Sequence, residues 1–103
     1  MRIIWSDDAI KSVDNTADYI EDNFGVDRSI EFYDEVLEQT DSLVQFPQKG
    51  PVDEDLKGGK YEYRSLGIGK LSRLIYRIEG ETIRILYLWN TRRNPITLRM
   101  KFD

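Results

Sequence analysis

Arginine side chains recur along residues 61–93, at a spacing that could serve anion binding. Those within the segment's strand-like parts are Arg64, Arg73, Arg77 and Arg84. A guanidinium group binds phosphate through two parallel hydrogen bonds, and aromatic side chains such as Tyr61, Tyr63 and Trp89 could stack on bases. An arginine could equally pair with an acidic neighbour or lay its stem over apolar surface. Taken singly, each of these arginines is more readily explained as structural.

A basic turn follows directly after Trp89. Its sequence is Asn90-Thr91-Arg92-Arg93-Asn94-Pro95, and two arginines just past a strand can present positive charge to a ligand. A basic turn also serves solubility alone, so the motif indicates no particular ligand. Together with the strand arginines it completes a candidate binding set of Arg64, Arg73, Arg77, Trp89, Arg92 and Arg93.

The residue types present restrict the chemistry. Cysteine and histidine are both absent, which excludes disulfides, thiolate metal sites and imidazole acid–base catalysis. Proton transfer would fall to Asp, Glu, Lys, Arg or Tyr. The consecutive acids Asp53, Glu54 and Asp55 cannot all converge on one metal ion, because neighbouring side chains diverge. We expect a solvated loop there, no metal site and no cofactor.

Charge is distributed unevenly along the 103 residues. Residues 1–55 hold four Lys and Arg against fifteen Asp and Glu, a net charge of −11. Residues 56–103 hold eleven Lys and Arg against four Asp and Glu, a net charge of +7. The net charge of the whole chain is therefore −4. The asymmetry predicts either a basic surface for a polyanion or an acidic partner, or two halves that neutralise each other within one fold.

The arginine-bearing segment has the pattern of three antiparallel strands, because Ile, Tyr, Leu and Trp alternate with polar residues. The expected strands are residues 61–66, 70–78 and 82–89. Gly67–Gly69 and Glu79–Glu81 would form the turns, since glycine adopts the positive φ of short hairpin connections. The last strand is apolar on both faces and should be central. One of its faces is expected to carry Ile83, Ile85, Tyr87 and Trp89.

Two helices are expected before these strands. Arg2–Trp5 suits a short strand, and Ser6 is a good N-cap for a helix that ends at Gly25. A second helix should run from about Asp27 to about Gln45, and the short link predicts an antiparallel hairpin. The apolar stripe of the first helix is Ile10, Val13, Ala17, Ile20 and Phe24. The buried face expected for the second is Ile30, Tyr33, Val36, Leu37, Thr40, Leu43 and Val44.

The remaining segments are a loop and a C-terminal tail. Residues 48–60 contain Pro51 and Gly58-Gly59, which is typical of an exposed loop. Ile96–Phe102 alternates strictly and predicts an edge strand, whereas the preceding Asn94-Pro95 would also suit a helix start. An edge strand is open to pairing with another chain, so we expect a homodimer or a partner's strand there.

The expected fold is one α+β domain over residues 1–103, ordered β-α-α-β-β-β(-β), with the helical hairpin packed on an antiparallel sheet. A chain of this length buries roughly two thirds of its surface in a single core. No apolar run reaches the about 20 residues of a membrane helix, and the N-terminus lacks a signal-peptide core. We therefore expect a cytoplasmic protein without membrane association.

Four stretches resemble the RelE/ParE superfamily of toxins from type II toxin–antitoxin systems, which includes plasmid stabilisation proteins. They are IIWSDDAI, DSLVQFPQKG, YRSLGIGKLSRLIYRI and IRILYLWNTRRNP. The last two are the most specific, with a turn, Arg-x-x-Tyr, Ile-x-Ile-Leu and a basic turn that ends in Asn-Pro. The resemblance spans nearly the whole chain. It implies a compact α+β toxin of bacterial origin and a cognate antitoxin that wraps and neutralises it.

The resemblance implies one of two activities. ParE-like members poison DNA gyrase, whereas RelE-like members cut messenger RNA on the ribosome with arginines and lysines plus a glutamate, histidine or tyrosine. Arg73 matches the arginine that opens the third strand in both branches, Arg92 matches a catalytic arginine of RelE-like members, and Arg64 matches loosely. The chain lacks histidine and any tyrosine after Tyr87. We therefore favour a ParE-like toxin that acts by binding.

Two alternatives stay open. In a ribosome-dependent endoribonuclease, Arg73 and Arg92 would stabilise charge on the scissile phosphate, and Glu62 or Lys60 would act as the base. In a non-toxic member, the chain would serve only as a binding partner. In each case the antitoxin would lay an acidic amphipathic segment against the basic strands, or a helix across the helical hairpin.

Overall fold

The structure, a computed structural model, describes residues 1–102. In chain order the elements are β1 Arg2–Trp5, α1 Asp7–Phe24, α2 Val26–Ser42, β2 Arg64–Ile68, β3 Ser72–Glu79, β4 Thr82–Asn90 and α3 Pro95–Phe102. A 3₁₀ turn, Glu54–Leu56, interrupts the loop between α2 and β2. The α+β class and the helical hairpin after β1 are confirmed. No helix within residues 1–102 is long and apolar enough to cross a membrane.

The strands form a four-stranded sheet in the order β1-β4-β3-β2. β4 is central, as its two apolar faces predict, and the β2–β3 and β3–β4 pairs are antiparallel. β1 instead runs parallel to β4, with Ile3 opposite Ile83. The sheet is therefore mixed, with one parallel and two antiparallel pairs.

A side-chain cap starts the first helix of the hairpin, and a glycine without a side-chain cap precedes the second. The Ser6 hydroxyl accepts a hydrogen bond from the Ala9 N–H (3.0 Å) and donates one to the Leu86 carbonyl (3.0 Å), so it caps α1 and ties it to the sheet. Gly25, at φ 95°, separates the two helices. α2 begins one residue before the expected Asp27 and ends at Ser42 instead of Gln45.

Small residues bring the two helices close together. The Ser29 hydroxyl donates to the Ala17 carbonyl across the hairpin (3.1 Å), and Ala9, Ser12 and Val13 are buried against the sheet. The face predicted to be buried on α2 is buried only in part, and the apolar stripe of α1 is also partly exposed. The members that stay exposed are Ile10, Phe24, Ile30, Tyr33, Leu37 and Val44. Close contact through small side chains leaves these larger ones on the outside of the hairpin.

A β-bulge in β4 shifts its side chains between faces. Tyr76 of β3 lies opposite Ile85, but Ile75 lies opposite Tyr87, so Leu86 is the extra residue. Ile83 and Ile85 face the hairpin as expected, whereas Tyr87 belongs to the opposite face. The prediction of one shared face along the whole strand is therefore wrong, because strict alternation ends at the bulge.

Two hydrophobic clusters cover the two faces of the sheet. The cluster beneath the hairpin includes Ala9, Val13, Val36, Leu43, Leu66, Ile68, Leu74, Tyr76, Ile83, Ile85 and Leu88. The cluster on the other face consists of Leu56, Tyr63, Ile75, Trp89 and Leu98, with Leu86, Tyr87 and Phe102 against it. Because neighbouring residues of a strand point to opposite faces, Ile75 lies on the far side from Leu74 and Tyr76. The 3₁₀ turn and α3 close this second cluster.

The C-terminal tail is helical, so the edge-strand prediction for Ile96–Phe102 is wrong. The Asn94 side chain accepts a hydrogen bond from the Ile96 N–H (3.0 Å), and Pro95 occupies the first helical position, which favours a helix start. Leu98 is fully buried, and Phe102 packs against Tyr63 with ring centroids 5.1 Å apart. Without an edge strand, the expected pairing with another chain at the tail loses its basis.

Candidate functional site

The structure places the predicted binding residues on two faces of the sheet. Arg73 lies opposite Trp89, and Arg77 lies opposite Arg84, on the face away from the hairpin. Arg64 lies opposite Tyr76, whose side chain faces the hairpin. We call the face that carries Arg73, Arg77, Arg84 and Trp89 the arginine face. Arg64 belongs to the other face, but it reaches the edge of the sheet and lines one cleft together with Arg77.

Arg73 is held by two carboxylates. Its Nε lies 3.1 Å from an Asp53 carboxylate oxygen, and one terminal nitrogen donates to Asp55 at 2.7 Å. The Asp53 carboxylate is buried and also accepts from the Asp55 N–H (3.0 Å), which caps the 3₁₀ turn. The prediction of a solvated loop is therefore wrong for Asp53 and Asp55, whereas Glu54 is exposed as predicted. Arg73 links β3 to the 3₁₀ turn, and its charge is already neutralised.

The other end of the arginine face carries a second charged cluster. One oxygen of Glu79 accepts from Arg77 at 2.8 Å and from Arg84 at 3.2 Å, so one carboxylate bridges two guanidinium groups that would otherwise repel each other. The Arg77 guanidinium carbon also lies 3.9 Å from the centroid of the Tyr61 ring. A shallow cleft of about 400 Å³ opens here. Its lining residues are Tyr61, Glu62, Arg64, Arg77, Ile78 and Glu79.

For Tyr61 the sequence pattern suggested only stacking on bases. A potential role in proton transfer was missed. Hydrogen bonding to Arg77 and the positive charges of Lys60 and Arg77 lower the pKa of its phenol. A phenol in such surroundings gives up its proton more readily than an ordinary tyrosine. In the sequence, only the adjacent Lys60 could have indicated the lowered pKa of Tyr61, because the contact with Arg77 depends on the fold.

The residues suggested for nuclease chemistry lie at two ends of the arginine face. Glu62 lines the cleft beside Arg77 and lies 3.4 Å from a terminal nitrogen of Arg64. Arg73 is four residues along β3 from Arg77, a separation of about 13 Å at the rise of a β-strand. Glu62 and Arg73 thus have different partners, since Glu62 contacts Arg64 and Arg73 contacts Asp53 and Asp55.

The basic turn after β4 is exposed, whereas the tryptophan before it is not. Trp89 is buried under α3 in the second cluster, and the Arg93 guanidinium carbon lies 4.4 Å from its ring centroid. Base stacking on Trp89 would require Arg93 to leave. Arg92 is exposed, and its backbone N–H donates to the Asn90 side chain (2.9 Å), which shapes the turn.

The site contains charged and aromatic groups rather than metal ligands. Within residues 1–102, no group of three Asp or Glu side chains is arranged to hold a metal ion. The arrangement can bind an anionic or amphipathic surface through Arg77, Arg84 and the exposed turn. Proton transfer would depend on Tyr61 or a carboxylate.

Comparisons with known proteins support one family. The family model described as the ParE toxin of type II toxin–antitoxin systems, parDE, matches residues 3–95. No curated protein matches the chain by sequence. One similar solved structure is from the chromosomal ParDE system of P. aeruginosa, at 20% identity and a TM-score of 0.71, covering 87% of this chain and 95% of that one.

A second similar structure is a YoeB/ParE toxin from Agrobacterium tumefaciens, at 14% identity and a TM-score of 0.56. The match covers 87% of this chain and 98% of that one. At these identities the two structures show the fold alone. The family model covers most of the chain, and the match includes both helices of the hairpin and all four strands. The chain therefore belongs to the ParE toxin family of type II toxin–antitoxin systems.

Proposed function

We propose that the protein is a toxin that inhibits DNA gyrase by binding it, without catalysis of its own, and that a cognate antitoxin neutralises it. The ion pairs of Arg73 with Asp53 and Asp55 are the observation that carries this proposal. An arginine neutralised by two carboxylates cannot stabilise new charge on a phosphate unless those contacts break. The family match supports the same conclusion.

Induction in a bacterial host tests this proposal. Wild type and an Arg73→Ala/Arg92→Ala variant would be induced in parallel, with growth, nucleoid shape, cell length and messenger integrity as readouts. The proposal predicts arrested, filamentous cells whose messenger stays intact. Rapid messenger cleavage that the double variant abolishes would contradict it. Normal growth with folded wild-type protein would instead indicate a non-toxic member.

A ribosome-dependent endoribonuclease is the second candidate, and one observation favours it. The lowered pKa of Tyr61 beside Arg77 and Lys60 is the kind of perturbation that acid–base catalysis uses. In this reading Tyr61 would exchange the proton, and Arg77 would face the phosphate.

Tyr61→Phe separates the two candidates, because it keeps the ring under Arg77 and removes only the titrating hydroxyl. A gyrase-binding toxin should retain growth arrest in this variant. A nuclease that depends on the Tyr61 proton should lose its messenger cleavage.

A further inference from the structure

The C-terminal helix α3 is apolar on two opposite faces. Leu98 and Phe102 pack on the second cluster, and Leu98 is fully buried. Ile96 and Met100, four residues apart on the opposite face, are 66% and 74% exposed. A surface helix of a folded domain usually turns one apolar face inward and a polar face to solvent. The outer face of α3 therefore has the composition of a contact surface.

Positive charge surrounds the exposed pair on α3. Residues 91–102 hold four Lys and Arg and no Asp or Glu, a net charge of +4. Arg99 and Lys101 lie on either side of the pair at the helical repeat, and Arg92 lies on the turn before the helix. Lys101 is 3.8 Å from Asp8, and an exposed pair at this distance contributes little. We call these residues the α3 surface: Arg92, Ile96, Arg99, Met100 and Lys101.

The outer face of α2 has the complementary composition. Its exposed apolar residues follow a spacing of four, three and four, which places them along one line of the helix, and acidic side chains border this line. The apolar residues are Val26, Ile30, Tyr33 and Leu37, and the bordering acids are Asp27, Asp34 and Asp41. We call these residues the α2 surface. The two helices together hold twelve Asp and Glu against two Lys and Arg, a net charge of −10.

The ionisation of Tyr33 reports the negative field at the α2 surface. Its hydroxyl donates a hydrogen bond to the Asp14 carboxylate of α1 (2.7 Å). This bond is the main cause of a phenol pKa raised to about 12, and burial together with the charges of Asp14, Asp18 and Glu21 adds to it. Carboxylates of α1 therefore act on a side chain of α2. A cationic group that approached this surface would be attracted by both helices.

We infer that two copies of this chain associate head to tail, with the α3 surface of one copy docked on the α2 surface of the next. Ile96 and Met100 pack among the exposed apolar side chains of α2, and the cations beside them face the bordering acids. The two surfaces differ, so the contact is heterologous, and it leaves one surface of each kind open at the ends of the assembly. The inference does not depend on the target of the toxin.

The signs of the charges and the positions of the two surfaces decide this pairing. Contact between two α2 surfaces would join two hairpins of net charge −10, and like charges across an interface are destabilising. Contact between two α3 surfaces would meet the same repulsion. Within one chain the two surfaces cannot meet, because α2 and α3 lie over opposite faces of the sheet. A second copy covers both apolar surfaces and pairs opposite charges at each.

Sedimentation equilibrium of the purified full chain tests the inference. We expect reversible association that increases with protein concentration at low ionic strength. Salt at about 1 M should reduce the association strongly, because the Debye length falls to about 3 Å and the charges across the contact are screened. A monomer at every concentration in low salt would overturn the inference. Association that salt leaves unchanged would also overturn it.

Charge reversal on the α3 surface locates one side of the contact. Arg92→Glu/Lys101→Glu should weaken the association about tenfold, because two attractive charges become repulsive. Arg2→Glu/Lys60→Glu makes the same charge change at two exposed positions outside both surfaces and should weaken it about twofold or less, because a charge acts most strongly on its direct neighbours. Equal losses would mean that only net charge matters, against the inference.

Charge reversal on the α2 surface locates the other side. Asp34→Lys/Asp41→Lys should also weaken the association about tenfold. Glu31→Lys/Glu38→Lys is the matched control, with the same charge change at the same spacing farther round α2, and should have a smaller effect. Loss in the α2 variant together with full association of the α3 variant would indicate contact between two hairpins, against the inference.

Mixing the two charge-reversed variants is the sharpest test. Each alone carries α2 and α3 surfaces of the same sign and should stay monomeric. In the mixture, the acidic α3 surface of one variant meets the basic α2 surface of the other, and the second contact keeps its original signs. We therefore expect the mixture to associate, and a mixture that stays monomeric would contradict head-to-tail pairing.

A further pair of variants tests the apolar contact. Ile96→Ser/Met100→Ser should weaken the association about tenfold without any change of charge, because it removes apolar surface from the contact. Tyr19→Ser/Phe46→Ser removes two exposed aromatic side chains outside both surfaces and should leave it unchanged. Circular dichroism would verify that all variants are folded. Association that survives Ile96→Ser/Met100→Ser would use another surface and would overturn the inference.

Discussion

At the scale of single residues, the fold decides which arginines are available. Arg73 is committed to Asp53 and Asp55, and Arg77 and Arg84 share Glu79. These partners could not be predicted from the sequence, because Asp53 is 20 residues from Arg73 and three consecutive acids usually indicate solvent exposure. The local signals of Ser6 and Gly25 were sufficient for α1, since a cap and a terminator act within one helical turn.

Arg73→Ala should destabilise the protein by about 3 kcal/mol, because it leaves the Asp53 carboxylate buried without its cation. Urea unfolding followed by circular dichroism measures the loss. Adding Asp53→Asn to Arg73→Ala should restore part of the stability, since it removes the unpaired charge. Arg92→Ala, on the exposed turn, is the control and should change stability by at most about 0.5 kcal/mol. Equal stability of Arg73→Ala and wild type would mean that Arg73 is free to serve a ligand.

The pKa of the Tyr61 phenol should lie below that of an ordinary tyrosine, and the pKa of the Tyr33 phenol should lie above it. Absorbance of tyrosinate should show Tyr61 ionising below pH 10 and Tyr33 only near pH 12. Tyr61→Phe should remove the earliest component, and Arg77→Ala should move it towards pH 10. The raised pKa of Tyr33 favours the protonated folded form, so its contribution to stability is complete below pH 10 and is lost between about pH 10 and 12. An unchanged early component in Tyr61→Phe would contradict the assignment.

At the scale of secondary structure, the alternation of apolar and polar residues predicted the strands reliably only where the pairing between strands is regular. It predicted the central position of β4, but it could not reveal the bulge at Leu86, which depends on pairing with β3. It also indicated a strand for residues 96–102, where the capping by Asn94 and Pro95 and the fit of Leu98 over the second cluster produce a helix. Tertiary packing thus overrode a local pattern.

The burial of Leu98 allows a direct test of the tail as a packed helix. Leu98→Ala should lower the free energy of unfolding by about 3 kcal/mol, because it opens a cavity in the second cluster. Met100→Ala, at an exposed position of the same helix, should change it by at most about 0.5 kcal/mol. Chemical denaturation measures both. Equal effects would indicate that the tail does not pack on the sheet as a helix.

At the scale of the whole molecule, the uneven charge of the sequence becomes two separate surfaces. The hairpin carries most of the negative charge, and the sheet and α3 carry most of the positive charge. Within residues 1–102, ion pairs between the acidic first half of the chain and the basic second half include Arg73 with Asp53 and Asp55, and Lys101 with Asp8 at 3.8 Å. The sequence left open whether the halves neutralise each other. In the fold, the two halves neutralise each other locally, at such ion pairs. The helical hairpin remains an exposed acidic surface.

Binding to DNA gyrase is the proposed action of this toxin. The most direct measurement is DNA supercoiling by purified gyrase on relaxed plasmid, with the toxin titrated in and ribosome-bound messenger assayed from the same preparation. We expect that supercoiling falls as toxin is added, that Tyr61→Phe inhibits equally, and that messenger stays intact. Unimpaired supercoiling at excess toxin together with cleaved messenger would contradict it.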